Sequence, residues 1–336
     1  MISMYDLEVQ RAVDEIKRHS ARKVLIQLPD GLRPIAFALA EELKQNTGAE
    51  VFLSGDSCYG ACDLALHEAE VLDVNLILHY GHSRMVDERS IPVVYIEVRM
   101  DFDVEVLVGK AMPHINGWGR IGLAATVQHV HKLGEVAEIL RFNGLTPFIG
   151  RRGGGTPYNG QVLGCQYATA LDISDKVEGF IFIGAGRFHP LGLATITGKP
   201  VVIANPYTMS ADMLDEHEVM LLAMKRMAAI KSAEEACVFG IVISLKPGQY
   251  QLDIARQLVG RMEEAGKKAT IICFDEVGSQ QLENFTEPEA FISTACPRIA
   301  IDGVAGMTRP ILTTTEAQVL LGDRRWEEIW GHDYIR

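Results

Sequence analysis

Three times along its 336 residues the sequence repeats one pattern: an apolar, β-branched run, a turn, a helical stretch and a second apolar run. A strand that is apolar along its whole length must be covered on both faces, and helices alternating with such strands supply the cover. The pattern therefore predicts parallel sheets sandwiched between helices. The first copy runs from KVLIQLPD at Lys23 through a helix over 34–46 to VFLSGDS, NLILHYGHS and VVYIEV. The second opens with RIGLAAT near Arg120, has a helix over 130–143, and continues with TPFIG, GFIFIGAG and VVIANPY. The third opens with VFGIVIS at Val238, has a helix over 251–265, and continues with TIICFDEV, AFISTAC and ILTTTE. Letter identity between the copies is weak, so the repeat is one of structure. The expected fold class is α/β, with three similar domains over residues 1–116, 117–230 and 231–336, each a small, mainly parallel sheet flanked by helices. The stretch 211–235 reads as a helix joining the last two. Its Met213, Leu214, Met220, Leu221, Met224 and Met227 recur at helical spacing, a stripe suited to a core or an interface.

Composition excludes several function classes. With 48% hydrophobic residues against 23% charged, the chain can bury several cores and is not disordered. A formal charge of -12 removes the attraction on which nonspecific binding to nucleic acid or anionic membrane depends. No stretch approaches a membrane span, and the N-terminal MISMYDLEVQRAVDEIKRHS mixes charges throughout, unlike a signal peptide. Six cysteines without a secretory signal fit a reducing cytoplasm, where thiols stay free for metals or chemistry.

In open parallel sheets, ligands gather beyond the carboxyl ends of the strands. There the loops read PDG, TVQHV and KPGQ after the first strand of each copy, and HYGHSR and GAGRFHPLG after the third strand of the first two. Gly, Pro, His, Arg and Gln at strand ends mark a site rather than spacers. Cys237 and Cys273 fall in or beside strand patterns and read as small buried hydrophobes. Cys58 and Cys62 in GDSCYGACD, Cys165 in GQVLGCQY and Cys296 in STACPRIAIDG stand instead at or just past strand ends among small residues. Small neighbours let a bulky inorganic cluster approach the backbone, and thiolates suit iron-sulfur clusters and zinc. A structural zinc site would show paired Cys-x-x-Cys knuckles, which this sequence lacks. Cysteines this far apart in sequence can share a site only if the fold assembles it. Three thiolates would leave one iron of a 4Fe-4S cluster open to substrate. The segment CYGACDLA departs from the Cys-x3-Cys-x2-Cys loop of ordinary radical S-adenosylmethionine enzymes at Ala65. Cys58 then reads as a spare thiol or a neighbour of the ligands, although the residues alone leave Cys58 and Cys62 both open.

Cys62 in YGACDLA, Cys165 in GQVLGC and Cys296 in ACPRIAIDG, with HYGHS, FHPLG and KPGQ between them, resemble the archaeal 2-(3-amino-3-carboxypropyl)histidine synthases of diphthamide biosynthesis. The resemblance covers nearly the whole chain and selects Cys62 over Cys58. It implies a cytoplasmic homodimer whose three domains, in pseudo-threefold relation, surround a central 4Fe-4S cluster held by Cys62, Cys165 and Cys296. It also implies a transferase that cleaves S-adenosylmethionine between sulfur and the γ-carbon, releasing 5'-methylthioadenosine. The 3-amino-3-carboxypropyl radical then adds to the imidazole C2 of a histidine on translation elongation factor 2, with electrons from an external donor and no direct role for nucleic acid or membrane. Gln161, Gly164, Lys246, Gly248, Gln249, Arg298 and Asp302 stand where polar groups would clasp the amino acid end of S-adenosylmethionine, with the Gly248 N–H suited to its carboxylate. His82 and His189 are expected at the entrance for the target histidine. Arg151 and Arg152, before Gly153–Gly155, read as a mobile basic lid and docking patch, since the segment lacks phosphate-loop spacing. Arg84 stands where the family often has another cysteine, a departure that leaves the three ligands intact. Two alternatives stay open here: a quinolinate synthase-like 4Fe-4S dehydratase, also built of three α/β domains, and a non-catalytic iron-sulfur partner subunit.

Overall fold

The structure, a computed structural model, describes residues 4–86 and 90–331; the outer ends of the first and third expected domains lie outside them. The first sheet contains β2 (Lys23–Gln27), β3 (Glu50–Leu53), β4 (Leu76–Tyr80) and β5 (Val93–Ile96), preceded by a short β1 (Tyr5–Asp6) that pairs with β6 (Arg99–Met100). The second contains β7 (Arg120–Ala125), β8 (Thr146–Ile149), β9 (Gly179–Ile183), β10 (Val201–Asn205) and β11 (Ser210–Met213). The third contains β12 (Val238–Ser244), β13 (Lys268–Phe274), β14 (Ala290–Ser293) and β15 (Ile311–Thr313).

Their orders are β3-β2-β4-β5, β8-β7-β9-β10 with β11 added at the edge, and β13-β12-β14-β15. Each is second-first-third-fourth in chain order, and every pair is parallel except β10 with β11. The repeat read from the sequence is thus a repeat of topology. In each sheet the order reverses between the first and third strands, which places a ligand crevice at their carboxyl ends.

Burial on both faces follows from the strand composition. Val24 and Ile26 face the helices Val9–Arg18 and Ala36–Thr47, while Leu25 packs with Ile77 and Ala69 on the other side. β9, GFIFI, is buried at every position, dividing Phe180 and Phe182 from Ile181 and Ile183 between two cores. In the third sheet Phe239, Ile241 and Ile243 oppose Val242 and Phe291.

Three expectations change. Residues 210–213 form the antiparallel strand β11, and the helix begins only at Glu216, extending to Glu234. That helix buries Leu222, Arg226, Ile230 and Ala233, whereas Met220, Leu221, Met224 and Met227 are exposed. The methionine stripe therefore lies outside the core of this subunit. Cys237 and Cys273 are exposed rather than buried. Cys237 precedes β12, and Cys273 points outward from β13, an edge strand with one solvated face. The domain boundary expected at 230/231 falls inside the helix Glu216–Glu234, which packs against the helices Phe188–Thr197 and Thr314–Leu320 alike. Among the described residues, no helix is long and apolar enough to cross a membrane.

Candidate functional site

Cys62 lies in the long loop that leads from β3 to the helix Leu66–Val71. Gln27, at the end of β2, pins this loop: its Nε2 donates to the Asp63 carbonyl at 2.6 Å and its Oε1 accepts from the Ala65 N–H at 3.2 Å. From the third domain, the turn after β12 closes on the same loop. The Gly248 N–H donates to the Cys62 carbonyl at 2.9 Å, and Gln249 Nε2 lies 3.3 Å from the Cys62 Sγ. Lys246 Nζ reaches Asp63 at 2.7 Å and Glu276 at 2.8 Å and lies over the Tyr59 ring. A Cβ on Gly248 would stand 2.5 Å from the Cys62 Cα, so only glycine permits this approach.

Cys165 follows a comparable long loop after β8. Within it Gln161 bridges to Ala125 at the end of β7, and its Nε2 donates to Ser83 Oγ of the first domain at 2.7 Å. Gln161 is fully buried, and its Oε1 has no partner among the described residues. Gly164 packs against Phe188, whose ring a Cβ would meet at 2.3 Å. Cys296 differs in position: it follows the third strand β14 directly, ahead of the short helix Arg298–Ile301. The cysteines accordingly come one from each domain without occupying equivalent places in the repeat. Arg298 stacks over Phe188 at 4.2 Å and pairs with Asp302 at 2.7 Å, so one ring links the Cys165 and Cys296 segments.

The three thiols lie within electrostatic reach of one another. Burial pushes Cys165 up to about 12, and negative charge on Cys296 and Cys62 adds to the shift. Cys296 is raised by burial, with Cys62 contributing, and Cys62 is raised chiefly by burial. All three are half-buried and free of disulfides. Soft sulfur donors from three domains, with glycines at two of their approaches, fit the ligand set of an iron-sulfur cluster.

Some expected roles are revised by these contacts. The Gly248 N–H is occupied by Cys62 and is not available to a substrate carboxylate. Lys246 is engaged by two carboxylates, and Gln249 by the Cys62 sulfur, so this turn braces the Cys62 loop. Asp302 is exposed and serves Arg298. His189 sits between Phe182 and Phe188, where burial lowers it to about 4. His82 contacts His79 deeper in the first domain. Arg151 is not a free lid: its backbone and guanidinium bind Asp172, and the Arg152 N–H donates to Asn159. Asp63, Tyr59, Ser83, Phe188 and Glu276 escaped the sequence reading. Tyr59 and Asp63 lie inside the CYGACD motif, Ser83 in HYGHS and Phe188 in FHPLG, so all but Glu276 carried a signal there.

A profile of the diphthamide synthesis protein family matches residues 28–331. The 2-(3-amino-3-carboxypropyl)histidine synthase of Pyrococcus horikoshii is 36% identical over 332 residues, which is 98% of this chain and 95% of that protein. Subunit 1 of the Saccharomyces cerevisiae 2-(3-amino-3-carboxypropyl)histidine synthase is 30% identical, covering 95% of this chain and 75% of its own. The crystal structure of Pyrococcus horikoshii Dph2 with a 4Fe-4S cluster superposes with a TM-score of 0.87, at 36% identity over 96% of this chain and 93% of that one. A second crystal structure of that protein gives 0.88. These matches replace the quinolinate synthase alternative. With its three-sheet topology and its matched sequence, the chain belongs to the diphthamide synthesis protein family.

Proposed function

We propose that this chain is a transferase of the 2-(3-amino-3-carboxypropyl)histidine synthase kind, acting on a histidine of translation elongation factor 2 in the first step of diphthamide biosynthesis. What supports the proposal is that the segments bearing Cys62, Cys165 and Cys296 come one from each domain and are tied by contacts, Gly248 donating to the Cys62 carbonyl and Arg298 stacking on the Phe188 ring against which Gly164 packs. Cys62, Cys165 and Cys296 would hold a 4Fe-4S cluster. When bound and reduced, such a cluster supplies the one electron that fragments a sulfonium, here between sulfur and the γ-carbon of S-adenosylmethionine, freeing 5'-methylthioadenosine and a 3-amino-3-carboxypropyl radical.

Which of three carbon–sulfur bonds breaks depends on which carbon is held at the reducing centre, so the protein's task is orientation. Gln161 suits it, with a buried, unpartnered Oε1 beside the Cys165 segment that can accept from a substrate ammonium. Arg298, exposed next to Cys296 and fixed by Phe188 and Asp302, can receive the substrate carboxylate. A cleft of about 920 Å³ between the first and third domains, bordered by Asp63 and Lys246, offers room for a protein substrate's side chain next to the Cys62 loop. The enzyme is read as a cytoplasmic homodimer that draws electrons from a separate donor.

The experiment is transfer of isotope from S-adenosylmethionine labelled in its aminocarboxypropyl group to purified elongation factor 2, under reducing anaerobic conditions. Label on one histidine, absent with Cys165→Ala, supports the proposal. No transfer by a protein whose cluster is intact overturns it in favour of a non-catalytic partner role.

A further inference from the structure

A second group of metal-ligating side chains lies in the first domain, sharing none of its members with the three cysteines, although Cys58 is near enough to Cys62 to feel its charge. A ligand atom from each of Cys58, His79 and His82 falls within 4.8 Å of the other two. Cys58 and His79 are buried, and His82 is largely so. His79 is the fourth residue of β4, and His82 stands in the turn beyond it, at the strand end where this topology gathers ligands.

The hydrogen bonds define the protonation of His79. Gln27 Nε2 donates to the Asp63 carbonyl, and its Oε1 already accepts from the Ala65 N–H, which fixes the orientation of the amide. That Oε1 lies 2.9 Å from His79 Nδ1. An amide oxygen only accepts, so Nδ1 carries the proton, and burial keeps the ring neutral. His79 Nε2 is left with a bare lone pair, 3.0 Å from His82 Nδ1. An imidazole whose far nitrogen donates to a fixed oxygen, leaving the near one unprotonated, is the arrangement that metal-bound histidines adopt. The separation of the two nitrogens is close to that between neighbouring ligands of a tetrahedral ion with bonds of about 2.0 Å.

We propose that Cys58, His79 and His82 form a second metal site, distinct from the cluster ligands, for a divalent cation of the zinc class. Two imidazoles and one thiolate are a borderline-soft donor set, which favours such an ion over magnesium or calcium. Binding would release one proton, from the Cys58 thiol, while the His82 proton moves from Nδ1 to Nε2, so that the two nitrogens share an ion instead of a hydrogen bond. The fourth coordination position is left to water or to a small ligand. The site would clamp the Cys58 loop to the His82 turn, and that turn already reaches the second domain through Ser83 and Gln161.

The test uses anaerobically purified, cluster-loaded protein, equilibrated with zinc sulfate, desalted and assayed for zinc and iron by mass spectrometry. Zinc K-edge absorption, to which iron is invisible, reads the ligands. The expected result is about one zinc per chain with iron retained, and a shell of one sulfur near 2.3 Å and two nitrogens near 2.0 Å. Zinc should fall below about a tenth per chain in Cys58→Ala, a small change in a loop, with iron unchanged. Gln27→Ala should weaken zinc 10- to 100-fold, roughly the effect of removing a hydrogen-bond partner from a ligating histidine. The proposal is overturned if wild-type protein retains no zinc, if Cys58→Ala binds it equally well, or if zinc enters only as iron leaves.

Discussion

At the residue scale, Gly248 makes the sharpest demand. Replacing it with Ala would set a Cβ against the Cys62 backbone, which the paired loops cannot accommodate without moving apart. Overpacking of this sort costs about 1–3 kcal/mol, and here the displacement falls on Cys62, a proposed cluster ligand. Gly248→Ala should lose most of its iron on anaerobic purification. Gly260→Ala, in a helix interior with nothing nearby, should keep its iron and gain about 0.5–1 kcal/mol. His129 poses a separate question of charge. It is buried among Phe102, Tyr207 and Thr126, and burial lowers it to about 3, from an ordinary 6.5. The unfolded chain therefore binds this proton first as pH falls. The stability tied to neutral His129 is complete above about 6.5 and is lost progressively down to about 3, at up to about 1.4 kcal/mol per pH unit. Urea melts at stepped pH should show a shallower acid decline for His129→Gln than for wild type; parallel curves would show that His129 is already charged in the folded state. Of the site, the cysteines were legible as residue types among small neighbours. The bracing role of Gly248 and Lys246 was not, because their partners Cys62 and Asp63 are distant in sequence and meet only through the fold.

At the element scale, the helix Glu216–Glu234 couples the second domain to the third. Arg226 on its buried face binds Glu316 and also donates to the carbonyls of Ala300 and Ile311. Removing one partner of a buried ion pair strands the other charge, at a cost of about 3–5 kcal/mol. Arg226→Met should lower stability by that order in chemical denaturation, while an exposed change such as Lys231→Ala should leave it within about 0.5 kcal/mol. The opposite face carries the exposed Met220, Leu221, Met224 and Met227. If the proposed homodimer forms across this face, the double change Met220→Glu and Met224→Glu should yield monomers in light scattering, and a persisting dimer would assign the interface elsewhere. Strand and helix types were readable because apolar runs and helical spacing differ in period. β11 was not, since SADM is too short and too polar to separate from the helix that follows it.

At the scale of the whole molecule, three copies of one sheet order carry Cys62, Cys165 and Cys296 on three separate domains, and the proposed cluster needs all three. Cys62→Ala, Cys165→Ala and Cys296→Ala should each abolish the brown chromophore, while the exposed Cys237 and Cys273 should be replaceable without loss of iron. The triplication could be read from the alternation of strand and helix patterns. The unequal placement of Cys296 was legible as well, since AFISTAC is the third apolar run of its copy whereas Cys62 and Cys165 follow second runs. The central claim is that a cluster held by these three thiols directs cleavage of S-adenosylmethionine to the γ-carbon side. Mass spectrometry of the products after anaerobic reduction with dithionite tests it most directly. The account predicts 5'-methylthioadenosine from wild type and none from any of the three cysteine variants; 5'-deoxyadenosine with methionine, or 5'-methylthioadenosine persisting in a variant, would contradict it.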